Sequence, residues 1–299
     1  MLISFLEKND IKYSHSLSLS DLTTFKIGGK ADLVIYPDSI EKAASLIRFF
    51  FQNSIEYFVM GKGSNLLFAD EPFTKPIIKT DLLQNKKRDG DRFTFGSGLK
   101  MATAANFAAA EGYSGMEFAH GIPGSVGGAV YMNAGAYDGA MQQIVTATKY
   151  VDDQGNLCSV EGTEHDFSYR HSYFSHKNLL IVETTVRLSE GSRKEIKAKM
   201  ADLMQRRREK QPLNLPSAGS TFKRPVGAFA GKLIEDCGLR GYRHGGAAVS
   251  EKHCGFVVNV ENASFNDVIE LIDFVQKTVQ EKAGYFLECE VEIISQEKN

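Results

Sequence analysis

The sequence predicts an α+β protein built from more than one domain. Helical and strand-like patterns follow each other in mixed order, which is typical of α+β folds and not of one doubly wound sheet. A chain of 299 residues is also long enough for about two domains of ordinary size. Hydrophobic residues make up 42% of the chain and charged residues 24%, the balance of a soluble globular protein.

The helices are indicated by apolar periodicity and by capping residues. Ser39 and Ser264 precede two of the periodic segments, and Gly112 and Gly284 close two of them, as is usual at helix ends. Asp267 stands three residues after Ser264, which is a variant of the capping box. Helices are therefore predicted over residues 40–53, 100–112, 192–211 and 264–284.

Segments rich in β-branched and aromatic residues, bounded by Gly, Asp or Asn, lie between these helices. Strands are predicted over residues 55–61, 91–98, 145–156, 179–191, 253–262 and 285–294. Along the last of these, Glu288, Glu290 and Glu292 alternate, so we expect their side chains to share one face. The charged helix and the Pro-flanked loop after it predict a boundary between a domain of residues 1–195 and a smaller one of residues 196–299.

Charge, hydropathy and cysteine spacing exclude several classes of protein. The net charge of −2 and the pI near 6.4 give no global field that would recruit nucleic acid or an anionic membrane. The N-terminus has no signal-peptide pattern, and the longest uncharged stretch, 121–137, is broken by Pro123 and several glycines, so no membrane span is expected. Four widely spaced cysteines without a C-x-x-C motif favour free thiols, and we predict a cytoplasmic location.

Metal binding is not expected either. His165, His171 and His176 are close in sequence, but their spacing matches no common metal motif.

Two loops contain more glycine than an ordinary turn requires. Glycine lets successive backbone N–H groups converge on an anion, and serine and asparagine add side-chain donors. Neither loop is a G-x-G-x-x-G or a P-loop motif, and the alternative is that both only make tight turns. Together they favour a dinucleotide. The predicted cofactor-binding residues are Gly61, Lys62, Gly63, Ser64, Asn65 and Leu66 in the first loop, and Gly121, Ile122, Pro123, Gly124, Ser125, Gly127, Gly128 and Ala129 in the second.

Ser220 and Arg170 are candidates for chemistry. Ser220 follows a glycine and precedes Lys223 and Arg224, so its hydroxyl has two cations nearby in sequence. It has no base beside it and does not lie in a G-x-S-x-G motif, which leaves a proton donor, a substrate hydrogen-bond partner or an ordinary loop hydroxyl. Arg170 stands among aromatic residues, where an arginine can bind a carboxylate through two hydrogen bonds or can simply lie on the surface.

Seven motifs in order carry a family resemblance that covers nearly the whole chain. They are TFKIGG, GKGSNLL, GIPGSVGGA with NAGAY, SYRHS, SAGSTFKRP, GGAAVSEKHCGFVVN and LECEV. The chain resembles the UDP-N-acetylenolpyruvoylglucosamine reductases, flavoenzymes of peptidoglycan precursor synthesis. The resemblance implies an FAD-binding domain of the vanillyl-alcohol-oxidase-like (PCMH) type in two subdomains, about 1–78 and 79–195, and a substrate-binding α+β domain after it. The interval between SAGSTFKRP and GGAAVS is short. In this respect the chain resembles the class of the family that lacks an extra substrate-covering loop.

The resemblance also implies a reaction. NADPH would reduce FAD, and UDP-N-acetylglucosamine enolpyruvate would receive a hydride at C3 and a proton at C2, which gives UDP-N-acetylmuramate. By motif position, Ser220 would protonate C2, Arg170 would bind the carboxylate, and Glu290 would polarise the carboxylate site. Tyr169, Lys210, Lys223 and Arg224 would bind the nucleotide-sugar substrate, and the enzyme is expected to be monomeric.

The chain departs from the family pattern at Cys289, where Pro is usual, at Cys254, where Ala is usual, and at Thr221, which follows the serine of the motif. The loss of a proline beside Glu290 leaves the backbone geometry of that residue open. Two alternatives to the reductase are an oxidase of the same fold with the flavin tethered through His120, and a non-catalytic module that binds flavin or nucleotide.

Overall fold

A computed structural model describes residues 1–295 of the chain. Its α-helices are α1 (Leu2–Lys8), α2 (Leu19–Leu22), α3 (Ile40–Gln52), α4 (Met101–Glu111), α5 (Val126–Tyr131), α6 (Arg193–Lys210), α7 (Ala230–Asp236) and α8 (Phe265–Ala283). Short 3₁₀ turns are Thr80–Leu82, Glu117–Ala119, Met141–Gln143 and Gly162–His165.

The strands of the described residues form sheets of two to five strands. They are β1 (Lys12–Ser18), β2 (Lys30–Tyr36), β3 (Phe58–Met60), β4 (Leu66–Phe68), β5 (Ile77–Lys79), β6 (Lys86–Asp89), β7 (Arg92–Gly96), β8 (Tyr113–Ser114), β9 (Gly135–Ala136), β10 (Gly139–Ala140), β11 (Val145–Val151), β12 (Leu157–Glu161), β13 (Leu180–Arg187), β14 (Ser189–Glu190), β15 (Arg243–His244), β16 (Ala247–Val249), β17 (Val257–Asn259) and β18 (Glu292–Ile294).

The chain divides into two compact units. The first unit comprises Met1–His15, Leu33–Lys62 and Lys75–Arg206, and the second comprises Ser16–Asp32, Gly63–Thr74 and the chain from Arg207 onward. The predicted domain boundary between residues 195 and 196 lies inside α6 and stays a prediction.

The helix predictions from capping residues are confirmed. The Ser39 hydroxyl accepts a hydrogen bond from the Lys42 N–H at 3.2 Å at the start of α3. Ser264 and Asp267 form a capping box at the start of α8. α4 and α8 end at Gly112 and Gly284, which adopt the left-handed conformation that glycine allows without strain.

The first unit contains parallel strand pairs in one sheet and a separate antiparallel sheet. In the four-stranded sheet, with order β1-β2-β5-β3, Val34 and Phe58 both pair with Ile77 in parallel. α3 contributes the residues Ala43, Leu46, Ile47 and Phe50 to a core with this sheet, at the spacing of one helix face.

The five-stranded antiparallel sheet, with order β12-β11-β13-β7-β6, shares its core with α4. Phe93 and Phe95 are fully buried there, together with Ala104, Ala105, Ala108 and Ala109 of the helix. Small side chains on α4 allow the helix to come close to the aromatic residues of the sheet.

The second unit is organised around the antiparallel sheet β15-β16-β17 and α8. Val268, Leu271 and Val275 of α8 are fully buried in a core with Ala247 and Val257 of the sheet. Ala248, Phe256 and Val258 form a smaller cluster with Leu215. Alternation along β16 and β17 sends neighbouring residues to opposite faces, so the sheet has an apolar layer on each side.

Five of the predicted strand segments contain a strand, namely β3, β7, β11, β13 and β17. The sixth prediction is wrong for most of its length, because residues 285–291 lie outside regular strands and only Glu292–Ile294 form β18. The physical reason is that the segment 285–294 pairs with two different parts of the chain. Lys223 and Glu290 donate backbone hydrogen bonds within one antiparallel pairing, whereas β18 pairs in parallel with β4. Glu288, Glu290 and Glu292 therefore do not share the face of one strand.

Within residues 1–295 no helix is long and apolar enough to cross a membrane. The same residues contain no cluster of His, Cys, Asp and Glu side chains that would hold a metal ion. The four cysteines are free thiols.

Candidate active site

Ser220 lies in an extended segment of the second unit between two neighbouring segments. The Thr221 N–H donates to the Gly255 carbonyl at 2.8 Å, and the Thr221 carbonyl accepts from the Glu290 N–H at 2.8 Å. The Lys223 N–H donates to the Glu288 carbonyl at 2.8 Å. The structure thus places Ser220 and Glu290, which are far apart in sequence, on paired segments.

Two neighbours determine how Ser220 is presented. Gly219 has a φ of +80°, a conformation that an L side chain rarely adopts. Thr221 is 1% exposed, and its hydroxyl accepts a hydrogen bond from the Val257 N–H at 2.9 Å. Because side chains alternate along an extended chain, the burial of Thr221 turns the half-buried Ser220 side chain to the opposite side.

Cys289 leaves this pairing undisturbed. The hydrogen bonds of the pairing run between Thr221 and Glu290 and between Lys223 and Glu288, so Phe222 and Cys289 form the pair between them whose N–H groups take no part. Because the Cys289 N–H is not used, the pairing has the same hydrogen bonds with cysteine as it would have with a proline at position 289. Burial raises the pKa of Cys289 to about 11, with a contribution from Asp273 and Glu288, so the thiol is neutral at physiological pH.

Arg170 lies at the third position of a tight turn in the first unit. Ser168 and His171 exchange backbone hydrogen bonds of 3.2 Å, which puts Tyr169 and Arg170 at the tip. Arg170 has a φ of +56°, where a turn usually carries glycine. Such strain costs on the order of 1–3 kcal/mol and is often found at functional sites. The guanidinium lies 5.1 Å from the centre of the Tyr169 ring.

Asn133, from the NAGAY motif, anchors this turn. Its side-chain NH₂ donates to the Ser168 carbonyl and to Gln142 Oε1, both at 2.8 Å, and its Oδ1 accepts from the Gln142 N–H at 3.0 Å. Asn133 is 5% exposed and has a φ of +43°. No local pattern in the sequence indicates that the asparagine of this motif supports the Arg170 turn.

The first glycine loop is divided between the units after Lys62. In the first unit, a Cβ on Gly61 would lie 2.6 Å from Ser125 Oγ, so only glycine permits this close approach to the second loop. In the second unit, Asn65 donates through its side chain to the Glu290 carbonyl at 3.0 Å, and its own carbonyl accepts from the Glu292 N–H at 2.9 Å. Asn65 therefore supports the segment that carries Glu290.

The second glycine loop is held by its own polar groups. Ser125 caps α5 by accepting from the Gly128 N–H at 3.4 Å, and the Gly127 N–H donates to the Ser97 carbonyl at 2.9 Å. Ser97 Oγ and His120 Nδ1 lie beside this loop, are buried, and have no hydrogen-bond partner within residues 1–295.

The predicted substrate-binding residues lie on exposed or half-buried positions. Tyr169 is 54% exposed at the tip of its turn, and Lys210 is the last residue of α6. Lys223 forms an ion pair with Glu288, and the Arg224 guanidinium lies 4.6 Å from the centre of the Phe229 ring. Solvent reaches all four side chains, so a polar ligand can contact them.

A cavity of about 690 Å³ lies in the second unit against the cluster that contains Val258 and Leu215. The cations on its lining are Arg208, Arg243 and Lys252. Sequence patterns gave no indication of it.

Two family models match the chain. The model of an FAD binding domain matches residues 31–161, and the model described as UDP-N-acetylenolpyruvoylglucosamine reductase, C-terminal domain, matches residues 211–294. Together with the mixed helices and strands of both units, these matches define the class of the protein. It is an α+β flavoprotein and an FAD-containing oxidoreductase.

Individual proteins narrow this class. The UDP-N-acetylenolpyruvoylglucosamine reductase of Clostridium novyi is 43% identical over 99% of this chain and 96% of its own length. That of Clostridium botulinum strain Hall is 46% identical over 93% of this chain and 90% of its own. The crystal structure of the Thermus caldophilus enzyme aligns with a TM-score of 0.80 at 33% identity, over 95% of this chain and 98% of that one. The chain belongs to the UDP-N-acetylenolpyruvoylglucosamine reductase family.

The residues present fit FAD. Gly61 lies against the Ser125 hydroxyl in a space that a Cβ at position 61 would fill, so the two glycine loops meet at a bare backbone and a hydroxyl. The lone polar atoms of Ser97 and His120 lie beside the same loop. A diphosphate needs this kind of donor set, so the loop residues Gly61 and Lys62 and those of 121–129 are the ones that would hold the cofactor in the first unit.

Proposed function

We propose that the protein catalyses the NADPH-dependent reduction of UDP-N-acetylglucosamine enolpyruvate to UDP-N-acetylmuramate, a step of peptidoglycan precursor synthesis. The names of the relatives and the extent of the alignments support the substrate and the direction of the reaction. The observation that carries the proposal is the pairing of the Ser220 and Glu290 segments, since it puts a hydroxyl donor and a carboxylate on neighbouring segments of the chain.

FAD, when bound, would supply the hydride for C3 of the enolpyruvyl group, with NADPH as the source of that hydride. Ser220 donates a proton to C2, the atom that becomes electron-rich when C3 is reduced. A hydroxyl is a suitable acid here because a carbanion-like centre is far more basic than an alkoxide. The buried Thr221 and the left-handed Gly219 fix the direction of the hydroxyl before the substrate arrives.

Arg170 and Glu290 act on the carboxylate of the substrate. The guanidinium of Arg170, on a turn whose strain is maintained by Asn133, forms a bidentate pair with the carboxylate. Glu290, on the segment paired with that of Ser220, polarises the carboxylate site. Tyr169, Lys210, Lys223 and Arg224 bind the uridine diphosphate and sugar, and Lys223 exchanges Glu288 for the diphosphate.

Support for the cofactor contacts of Ser64, Asn65 and Leu66 comes from the resemblance of GKGSNLL to the family motif. A cytoplasmic location, expected from the cysteine spacing, and a monomeric enzyme stay predictions.

The test follows the colour of the purified protein. We expect yellow protein that is bleached by NADPH without oxygen and recoloured by the enolpyruvyl substrate, with UDP-N-acetylmuramate as the product by mass spectrometry. Acid precipitation should release the flavin. Recolouring by oxygen alone, or flavin that stays with the precipitate, would favour the oxidase with a His120 tether.

A further inference from the structure

A buried lysine lies directly behind the first glycine loop. The Lys79 side chain is 5% exposed, and its ammonium donates a hydrogen bond to the Gly61 carbonyl at 2.6 Å. Lys79 ends β5 and pairs with Met60, the residue before Gly61, so the backbone register delivers the ammonium to this carbonyl. A buried charge is retained only where it has partners, and here one partner is the loop itself.

Asp81 links this lysine to the next residue of the loop. Its Oδ1 lies 3.4 Å from the Lys79 ammonium and accepts from the Lys62 ammonium at 2.9 Å. Gly61 is thus held through its carbonyl and Lys62 through its side chain, and both connect to the segment 79–81. The loop has two attachments before any ligand binds.

The cluster carries an excess of positive charge. Two ammonium groups face one carboxylate, which leaves one positive charge beside Gly61. Tyr36 also faces Asp81, but burial and this carboxylate raise the pKa of Tyr36 and keep its phenol neutral. Burial lowers the pKa of Lys79, as does Lys62, while Asp81 opposes the shift. An anion close to the loop is attracted strongly in such a partly dry environment.

We infer that Lys79 is a positioning residue of the flavin site and that Asp81 completes the clamp. Together they hold Gly61 and Lys62 in the conformation that receives the FAD diphosphate. The inference rests on the proposal that this loop contacts FAD. Lys79 acts through the Gly61 carbonyl and not by contact with the cofactor.

The test measures the Kd for FAD of apo-protein by quenching of flavin fluorescence, at a temperature well below the unfolding of every variant. Lys79→Met keeps the length of the side chain and removes the charge. We expect its Kd to rise about 10- to 100-fold, the effect of losing one charge-assisted hydrogen bond. Lys149→Met is the matched control, because Lys149 lies in the same unit, is half exposed and pairs with Glu183 at 3.0 Å. Its Kd should stay within about twofold of the original protein.

A second variant and a second readout separate positioning from folding. Asp81→Asn keeps the shape of a partly exposed side chain, so it should fold even if Lys79→Met does not, and we expect a smaller rise in Kd of about 3- to 10-fold. The visible circular dichroism of FAD bound to either variant should differ from that of the original protein. An unchanged Kd and spectrum for both variants, with only a lower Tm of the apo-protein, would overturn the inference. Failure of the original protein to bind FAD would instead overturn the proposed function.

Discussion

The Ser220 segment and the Arg170 turn are held by different kinds of interaction. Around Ser220, backbone hydrogen bonds to Gly255, Glu288 and Glu290 fix the chain, and the positive φ beside it falls on a glycine, Gly219, which adopts it without strain. The Arg170 turn places a non-glycine residue at positive φ and depends on the side chain of Asn133. A segment fixed through its backbone tolerates most changes of neighbouring side chains, whereas a strained turn depends on its anchor.

The largest effect is expected from Ser220→Ala, which keeps the backbone pairing and removes only the hydroxyl. Turnover of the enolpyruvyl substrate should fall by about 10²- to 10⁴-fold, the usual contribution of general acid catalysis, while reduction of the flavin by NADPH stays the same. Stopped-flow absorbance resolves the two half-reactions. Ser217→Ala in the same loop is the control and should leave both rates close to those of the original enzyme. Equal losses in both half-reactions would show that Ser220 supports the flavin.

An intermediate effect is expected from Asn133→Asp, which probes the side-chain anchor. Aspartate keeps the acceptor for the Gln142 N–H but loses the donor to the Ser168 carbonyl, so the Arg170 turn loosens. We expect KM for the enolpyruvyl substrate to rise about 10-fold with a smaller change in kcat, and flavin reduction to be unaffected.

Asn156→Ala, in an exposed turn of the same unit, is the matched control for this anchor. An unchanged KM in Asn133→Asp would mean that the turn keeps its conformation without the asparagine donor, and the contrast with the Ser220 segment would disappear.

The smallest effect on the reaction is expected from Thr221→Val. It leaves the buried Val257 N–H without its acceptor, so the free energy of unfolding should fall by about 1–3 kcal/mol. Because backbone hydrogen bonds still hold the segment, the rates of the folded variant should change little. Denaturant unfolding measures the free energy of unfolding. Thr221→Ser retains the oxygen that accepts from Val257, so it should recover most of the stability. A large loss of turnover in Thr221→Val would mean that side chains also determine the position of Ser220.

Local signals predicted the elements whose determinants are local. Ser39, Ser264, Gly112 and Gly284 mark helix ends because capping depends on residues a few positions apart. The strand expected over residues 285–294 failed for the opposite reason, since its course depends on two partners that are distant in sequence. The glycine loops and Ser220 stood out by composition, but their roles came from the order of motifs along the chain.

The sequence by itself determined the α+β class, the capped helices and, through its motifs, the reductase family. Only the tertiary structure decided which side chains support the motifs. Nothing near Lys79 in sequence indicates that its ammonium reaches the Gly61 carbonyl, and nothing near Asn133 indicates the Ser168 carbonyl. Residues of these pairs lie 18 and 35 positions apart. A buried polar group must find its partner wherever the packed fold provides one, and that choice is made by packing and not by local propensity.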